Sequence, residues 1–300
     1  MKVLPTLRQL GYLVALAEHH HFGRAAEACR VTQSTLSAGI QELETLLAAN
    51  LVERTKRRVM FTPLGDDIVA RARPLLRAAE DIAELAAAAA EPLSGTLRLG
   101  VIPTIGPYLL PRLLPALRQR FPKLKLHLRE DLSARLLEQL AAGRLDVILF
   151  ALPYPAEAVE TVVLGLDPFV LACPPGHPLC EYDPVPDEAI AGAPLLLLEE
   201  GHCLREHALA ACHLPGAGAG EGLRGTSLHT LVQMVANGLG VTLLPRMAVA
   251  DALRGTGVVT RPLAGGDAVR RIGLGWRRSS PRKKEFLLLA EVLREQMAAV

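Results

Sequence analysis

Two cysteines with eight residues between them carry the most suggestive chemistry in this chain. Cys203 and Cys212 bracket the stretch Cys203-Leu-Arg-Glu-His-Ala-Leu-Ala-Ala-Cys212. Most of the intervening residues favour helix, and none is Gly or Pro. A helix here would hold the two Cα atoms about 13 Å apart and point the side chains to opposite faces. A disulfide needs Cα atoms within roughly 7 Å. The two thiols can therefore bond only if the segment unwinds. An element with two arrangements, chosen by chemistry at one atom, is what a redox switch requires. The spacing alone favours two small buried apolar residues. Local context favours the switch. Cys203 follows Gly201-His202, which puts it in the first helical turn, where backbone N–H groups and the helix dipole favour a thiolate. Arg205 adds positive charge. Cys212 precedes His213-Leu-Pro-Gly-Ala-Gly-Ala-Gly, a loop that would let it travel.

The whole chain bounds what such a switch could serve. Three hundred residues suffice for two or three domains, and 50% apolar with 21% charged residues is ordinary for a globular chain. The net charge of +2 calls for no polyanion by itself, so any basic surface must be local. The start, Met1-Lys-Val-Leu-Pro, does not resemble a signal peptide, and no apolar run reaches membrane-spanning length without charge or Pro. Five widely spaced cysteines do not make a secreted disulfide framework. A reducing cytoplasm fits, and a disulfide there is regulatory more often than structural.

Three elements must position the N-terminal chemistry. Leu7, Leu10, Leu13, Val14, Leu16 and Ala17 recur at helical spacing. His19-His-His-Phe22 interrupts them and reads as a solvated turn rather than a metal cluster. Phe22 to Cys29 is a second short helix, with Cys29 in the core. Val31-Thr-Gln-Ser-Thr-Leu-Ser37 opens a third helix running from Ser34 to about Leu47. Two short helices joined tightly form a helix-turn-helix. Thr32, Gln33, Ser34, Thr35 and Ser37 would face outward, with side chains suited to base edges and phosphates. Leu51-Val-Glu-Arg54 and Val59-Met-Phe-Thr62 then make a hairpin, or wing. Its tip carries Arg54, Lys56, Arg57 and Arg58, half of the eight basic residues in positions 1–60. A basic tip fits phosphate contact.

From Thr62-Pro-Leu-Gly-Asp-Asp67 a long helix begins. Ile68, Ala72, Leu75, Ala79, Ile82, Ala86 and Ala89 alternate steps of four and three, a heptad seam for a dimer. Pro74 lies inside it and should kink it. Glu91-Pro-Leu-Ser-Gly95 ends it as a hinge. Strand and helix patterns then alternate: strands at 96–102, 124–128 and 145–152, with helices at 107–121 and 133–142. A second set follows from Val162–Cys173 to a terminal helix at 281–297. This is βαβ logic, giving a mostly parallel sheet. Ligands bind such sheets at the C-terminal strand ends, where Thr104 and Ser133 fall.

Leu10-Gly-Tyr-Leu-Val-Ala-Leu-Ala-Glu, Phe22-Gly-Arg-Ala-Ala, Val31-Thr-Gln-Ser-Thr-Leu-Ser and Leu51-Val-Glu-Arg-Thr resemble the N-terminal signature of LysR-type transcriptional regulators. The acids at Glu42 and Glu44 depart from it, since relatives carry a basic residue at the former. Further on, Ile102-Pro-Thr-Ile-Gly-Pro-Tyr-Leu-Leu-Pro111, Gly201-His-Cys-Leu-Arg205, Thr226-Ser227-Leu228 and Gly240-Val-Thr-Leu-Leu-Pro245 resemble the peroxide-sensing branch of that family. The similarity runs from about Leu7 to near residue 290.

The resemblance implies a fold and a mechanism. Residues 1–62 would be a winged helix-turn-helix DNA-binding domain, all-α apart from its wing. Residues 63–94 would be a linker and dimerisation helix, and 95–300 a two-lobed α/β regulatory domain with the chain crossing between lobes near 165 and 267. Cys203 would react with hydrogen peroxide and Cys212 would resolve the product as a disulfide. Arg271 would help stabilise the thiolate, and Thr104, Ser133, His202 and Arg205 would surround the peroxide. Ser133 stands where relatives have threonine, which implies a looser pocket. Cys173 and Cys180, in a Pro-rich stretch, read as bystanders. Expected partners are double-stranded promoter DNA, a second copy through the linker helix, a dimer of dimers, and contact with RNA polymerase. No cofactor, metal or membrane is expected.

Three rivals remain. A regulator of the same fold could answer a small ligand between the lobes. A metal sensor could use His202, Cys203, His207, Cys212 and His213, although Cys212 points away from Cys203 and no C-x-x-C pair exists. A free-standing enzyme is the third, but there is no G-x-S-x-G, H-E-x-x-H or G-K-[ST].

Overall fold

The computed structural model describes residues 4–54, 59–156, 158–211, 224–264 and 268–298. The chain divides into two compact units, 1–86 and 87–300.

In the first unit, α1 (Leu7–His19) starts from Thr6, whose hydroxyl accepts from the Gln9 N–H while the Gln9 side chain returns to the Thr6 N–H. This reciprocal cap fixes the helix start. α2 (Phe22–Ala28) begins at His21, whose Nδ1 accepts from the Gly23 and Arg24 N–H groups. One member of the histidine triplet is thus a helix cap. α3 (Gln33–Leu47) begins one residue before the expected start, because Thr32 is the cap and accepts from the Thr35 N–H. Leu13, Leu16, Ala25, Leu36, Ile40 and Leu43 interlock between the three helices, with Cys29 half-buried at the margin.

β1 (Val52–Arg54) and β2 (Val59–Phe61) pair antiparallel as the wing. Glu44 anchors it: its Oε1 accepts from the Leu51 N–H at 2.8 Å and the Val52 N–H at 3.1 Å. α4 (Pro63–Ala90) runs unbroken through Pro74.

In the second unit, β3 (Thr96–Val101), α5 (Gly106–Arg120), β4 (Lys125–Glu130), α6 (Ser133–Ala141) and β5 (Val147–Leu152) form two βα crossovers, and β3 lies parallel between β4 and β5. The long β6 (Val159–Cys173) leaves this lobe. A 3-10 turn (Pro178–Glu181), α7 (Asp187–Ala191), β7 (Leu195–Leu198), α8 (Cys203–Ala211), β8 (Arg224–Gly225), α9 (Leu228–Ala236), β9 (Val241–Pro245), α10 (Arg246–Ala252) and β10 (Val259–Pro262) build the second lobe. β11 (Val269–Arg277) returns to the first, and α11 (Lys283–Ala298) packs on it.

The sheet is mixed, not mostly parallel. β7 runs parallel to β8 and β9, but β11 pairs antiparallel with β5 and β6, and β6 pairs antiparallel with β9 and β10. The reason lies in the crossings. Residues 159–168 of β6 pair with β11, whereas 169–173 pair with β9 and β10. One strand leaves a lobe and another comes back, so the two must run in opposite directions. The crossings fall at about 168 and 268, close to the expected 165 and 267. Each lobe has its own core, one around Phe150, Trp276 and Phe286 and one around Leu171, Val232 and Leu244.

Candidate functional site

The chain reaches Cys203 through β7 and a tight turn at Gly201. Gly201 has φ +95°, a conformation any larger residue would adopt with strain. α8 then starts with Cys203 itself. The helix faces two ways. Cys203 joins the apolar core of the first lobe, while Leu204 and Ala208 join that of the second. One short helix thus touches both lobes, and the thiol sits on the seam.

Ser133 opens α6 at the end of β4, and its buried hydroxyl donates to the Cys203 sulfur at 3.5 Å. Ile102, Pro103, Thr104, Leu132, Ser133, Gly201, His202 and Cys203 enclose the spot so tightly that no water-sized sphere fits. Thr104 lies in the turn after β3. Its hydroxyl and its carbonyl each accept from Arg270, both at 2.9 Å. Arg270 also donates through Nε and pairs through Nη2 with Asp167, each at 2.9 Å. The Asp167 carboxylate accepts in turn from the Met247 N–H at the start of α10. Thr104, Asp167 and Arg270 are all buried. Buried charges need such complete pairing.

Burial pushes the Cys203 thiol up from its ordinary range, while the Ser133 hydroxyl, the Arg270 charge and a backbone hydrogen bond from Ala151 pull it down. The expected thiolate preference at the helix start is thus opposed by desolvation, which wins. His202 is half-buried beside the thiol, and burial lowers its pKa against the pull of Glu199. His207, one turn along α8, donates from Nε2 to the Pro153 carbonyl at 3.2 Å. Its pKa is lowered, chiefly by burial.

The structure therefore brings Cys203, Ser133, Thr104 and His202 together. Arg205 turns instead to Glu200 at 3.4 Å. Arg271 is corrected: it is exposed, and Arg270 carries the buried charge. On a strand, neighbours face opposite ways, so a shift of one residue exchanges core for solvent. Cys212 lies outside the described residues. Asp167 escaped the sequence reading; its signal was a carboxylate set between the apolar runs 162–166 and 169–173 of β6. Cys173 and Cys180, read as bystanders to this site, lie in the second lobe beside each other, with Cα atoms 6.8 Å apart.

At the other site, Thr32, Gln33, Ser34 and Thr35 are exposed and Ser37 is half-buried. The Thr32 hydroxyl meets those of Ser34 at 2.9 Å and Thr35 at 2.8 Å. Arg54 ends β1, but its side chain lies outside the described residues, as do Lys56, Arg57 and Arg58.

A second cavity, of about 270 Å³, opens between the lobes, lined in part by Thr104, Tyr108, Glu130, His202, His229 and Asp251. Among the described residues no helix is long and apolar enough to cross a membrane.

With this geometry in view, two family profiles match. One describes a bacterial regulatory helix-turn-helix protein of the lysR family, over residues 7–66, and the other a LysR substrate binding domain, over 90–298. The chain is 45% identical over 291 residues to the DNA-binding transcriptional dual regulator OxyR of Escherichia coli K12, covering 97% of this chain and 95% of that one. It is 40% identical over 302 residues to the HTH-type transcriptional regulator EstR of Acinetobacter baylyi, covering all of both. A full-length cysteine-to-aspartate variant of OxyR from Pseudomonas aeruginosa superposes with a TM-score of 0.80 at 39% identity, covering 97% of this chain and 98% of that one. A cysteine-to-serine OxyR from Corynebacterium glutamicum with hydrogen peroxide bound gives 0.70 at 34% identity, covering 100% and 94%.

Proposed function

The chain belongs to the LysR family of transcriptional regulators, and from that premise we propose that it senses hydrogen peroxide at Cys203 and passes the signal to promoter DNA. The observation that carries this reading is the buried Cys203 sulfur at the start of a helix packed into both lobes, with the Ser133 hydroxyl upon it and the Arg270–Thr104 pair beside it.

The chemistry follows from those groups. The Cys203 thiolate attacks one peroxide oxygen, the O–O bond breaks, and hydroxide leaves to take up a proton as water. Cys203 is then a sulfenic acid. The Cys212 sulfur attacks it, water leaves, and a disulfide joins the two. A helix cannot hold that bond between positions 203 and 212. α8 must unwind, and because it packs into both lobes its loss changes how they meet. Cellular thiols reset the switch by exchange. Each cycle spends one peroxide and two reducing equivalents as a signal, so the protein acts as a sensor and regulator rather than an enzyme.

In this reading residues 1–62 bind double-stranded DNA through Thr32, Gln33, Ser34, Thr35 and Ser37 and through the wing residues Arg54, Lys56, Arg57 and Arg58. Residues 63–94 join two copies, dimers pair into a tetramer, and the regulatory domain of 95–300 presents a surface to RNA polymerase. Thr104, Ser133 and His202 receive the peroxide, with Arg205 at the margin. The protein works in a reducing cytoplasm.

Treating the reduced chain with a slight excess of peroxide and mapping disulfides by mass spectrometry tests this. A Cys203–Cys212 link is expected, absent from Cys203→Ser and from Cys212→Ser, together with a changed DNA footprint. If Cys203 stays a free thiol while DNA binding persists, the peroxide reading fails. The 270 Å³ cavity beside His202 would then make a small-ligand regulator the better account.

A further inference from the structure

Cys173 and Cys180 lie apart from the chemistry above. Cys173 is the last residue of β6, fully buried in the core of the second lobe, where it pairs across the sheet with Val259. Cys180 sits half-buried on the 3-10 turn Pro178–Glu181. Between them run Pro174-Pro-Gly-His-Pro-Leu179.

Native contacts unrelated to sulfur shape this short loop. Gly176 adopts φ +76°. The His177 N–H donates to the Pro174 carbonyl, the Cys180 N–H to the His177 carbonyl, and the Leu179 N–H to the His177 Nδ1. Arg261, from β10, donates from Nε to the Cys180 carbonyl at 2.9 Å. Leu179 is buried. These contacts and three prolines hold the Cα atoms 6.8 Å apart, within disulfide reach. Unlike Cys203 and Cys212, this pair can bond with β6 and its loop left in place.

We propose that Cys173 and Cys180 are a second disulfide-forming couple, independent of the peroxide-sensing thiol, whose bond clamps loop 174–179 onto the end of β6 and steadies the second lobe. Independence rests on the surroundings. Cys203 has a hydroxyl and a buried guanidinium to support its anion. The sulfurs of Cys173 and Cys180 face carbonyl oxygens, of Val259 at 3.7 Å and Pro174 at 3.5 Å. Carbonyls accept from a thiol and repel a thiolate, so these sulfurs react with peroxide more slowly than Cys203. Cys180 is the less buried of the two residues, and its sulfur attacks peroxide first. With peroxide as oxidant it becomes a sulfenic acid and releases one water. Cys173 then attacks it, a second water leaves, and the two thiols have lost two electrons and two protons. A dithiol reductant reverses this: its thiolate attacks Cys180, Cys173 leaves as a thiolate and is protonated, and the reductant's second thiol frees Cys180 as it closes its own disulfide.

The test uses the full chain, a Cys203→Ser/Cys212→Ser double variant and a Cys173→Ser/Cys180→Ser double variant. Each is reduced, placed in glutathione buffers of stepped redox ratio or in peroxide, quenched by alkylation and mapped without reduction. The expected result is a Cys173–Cys180 link in the full chain and, in equal yield, in Cys203→Ser/Cys212→Ser, appearing later in peroxide than any change at Cys203. Reducing oxidised Cys203→Ser/Cys212→Ser should lower its unfolding midpoint by roughly 5 °C or more, and adding Cys173→Ser and Cys180→Ser should remove that difference. The proposal is overturned if both thiols are alkylated in every oxidising buffer, if they link to Cys29 instead, or if their link disappears with Cys203 and Cys212. The Cys173→Ser/Cys180→Ser variant keeps the two ideas separable, because the peroxide reading stands or falls on whether Cys203 and Cys212 still bond there.

Discussion

At the Cys203 sulfur, burial disfavours the anion that reacts, and three neighbours win part of it back. Arg270 is the charged one, and it also neutralises Asp167. Arg270→Ala should cost about 3 to 5 kcal/mol in urea unfolding, because it strands a buried carboxylate. The exposed Arg271→Ala should stay within about 0.5 kcal/mol. Arg270→Lys keeps the charge and loses the fork, so it should fold better than the alanine variant. Where such variants fold, stopped-flow mixing with peroxide should show the pH at which Cys203 reacts rapidly displaced upward for Arg270→Ala and unmoved for Arg271→Ala. Equal effects of the two alanine changes would contradict the geometry. The choice between these neighbours was readable. Ile272, Leu274 and Trp276 recur at step two, and that step lands on Arg270, with Arg271 on the glycine face beside Gly273 and Gly275. The Asp167 partnership was not readable, because it joins residues 103 positions apart.

α8 is held at its thiol end by core packing and further along by His207, whose Nε2–H binds the Pro153 carbonyl at the end of the first lobe's β5. That tether resists the unwinding on which the proposed switch depends. His207→Ala should cost about 1 kcal/mol of stability and speed closure of the Cys203–Cys212 bond after peroxide, measured as loss of free thiol in a quenched time course. Unchanged closure would mean the tether does not limit unwinding. The same histidine sets a pH dependence. Burial and Arg270 lower its pKa below the ordinary 6.5, while the Pro153 bond and Glu206 raise it. A group with a depressed folded pKa contributes stability that is present above its unfolded pKa and lost as pH falls through the folded one. Stability should therefore fall below about pH 6.5, and His207→Ala should flatten that decline in urea titrations at pH 5, 6 and 7. His202, shifted the same way, keeps part of it. Helices and strands of this kind are legible from spacing and caps. The role of Glu44 was not: noted only as an acid that departs from the family signature, it secures the wing by accepting two backbone N–H groups.

For the molecule as a whole, the alternation of strands and helices announced an α/β sheet, while the two lobes and their crossing points came from the family resemblance. Strand direction did not, because direction is set by which lobe a strand is leaving. The heptad series on α4 has a similar divided meaning. Ala72 is buried and Ile68 packs beside it, both within the core of the first unit. Leu75 and Ile82, on the same series, are 57% and 73% exposed in the single chain. Apolar side chains at this spacing gain little from water and much from a second helix. If the seam joins two copies, Ile82→Lys removes an apolar contact from both protomers and sets two charges near each other. Burying one isoleucine is worth about 1.5 to 3 kcal/mol, and the loss counts twice, so the dimer should weaken roughly a hundredfold or more. Sedimentation velocity across a dilution series would read this, with the exposed Arg71→Ala as control on the same helix. DNA affinity should fall with dimerisation while the peroxide reaction at Cys203 keeps its rate, since that site is complete within one regulatory domain. An Ile82→Lys protein that stays dimeric at the lowest concentrations would move the interface away from α4.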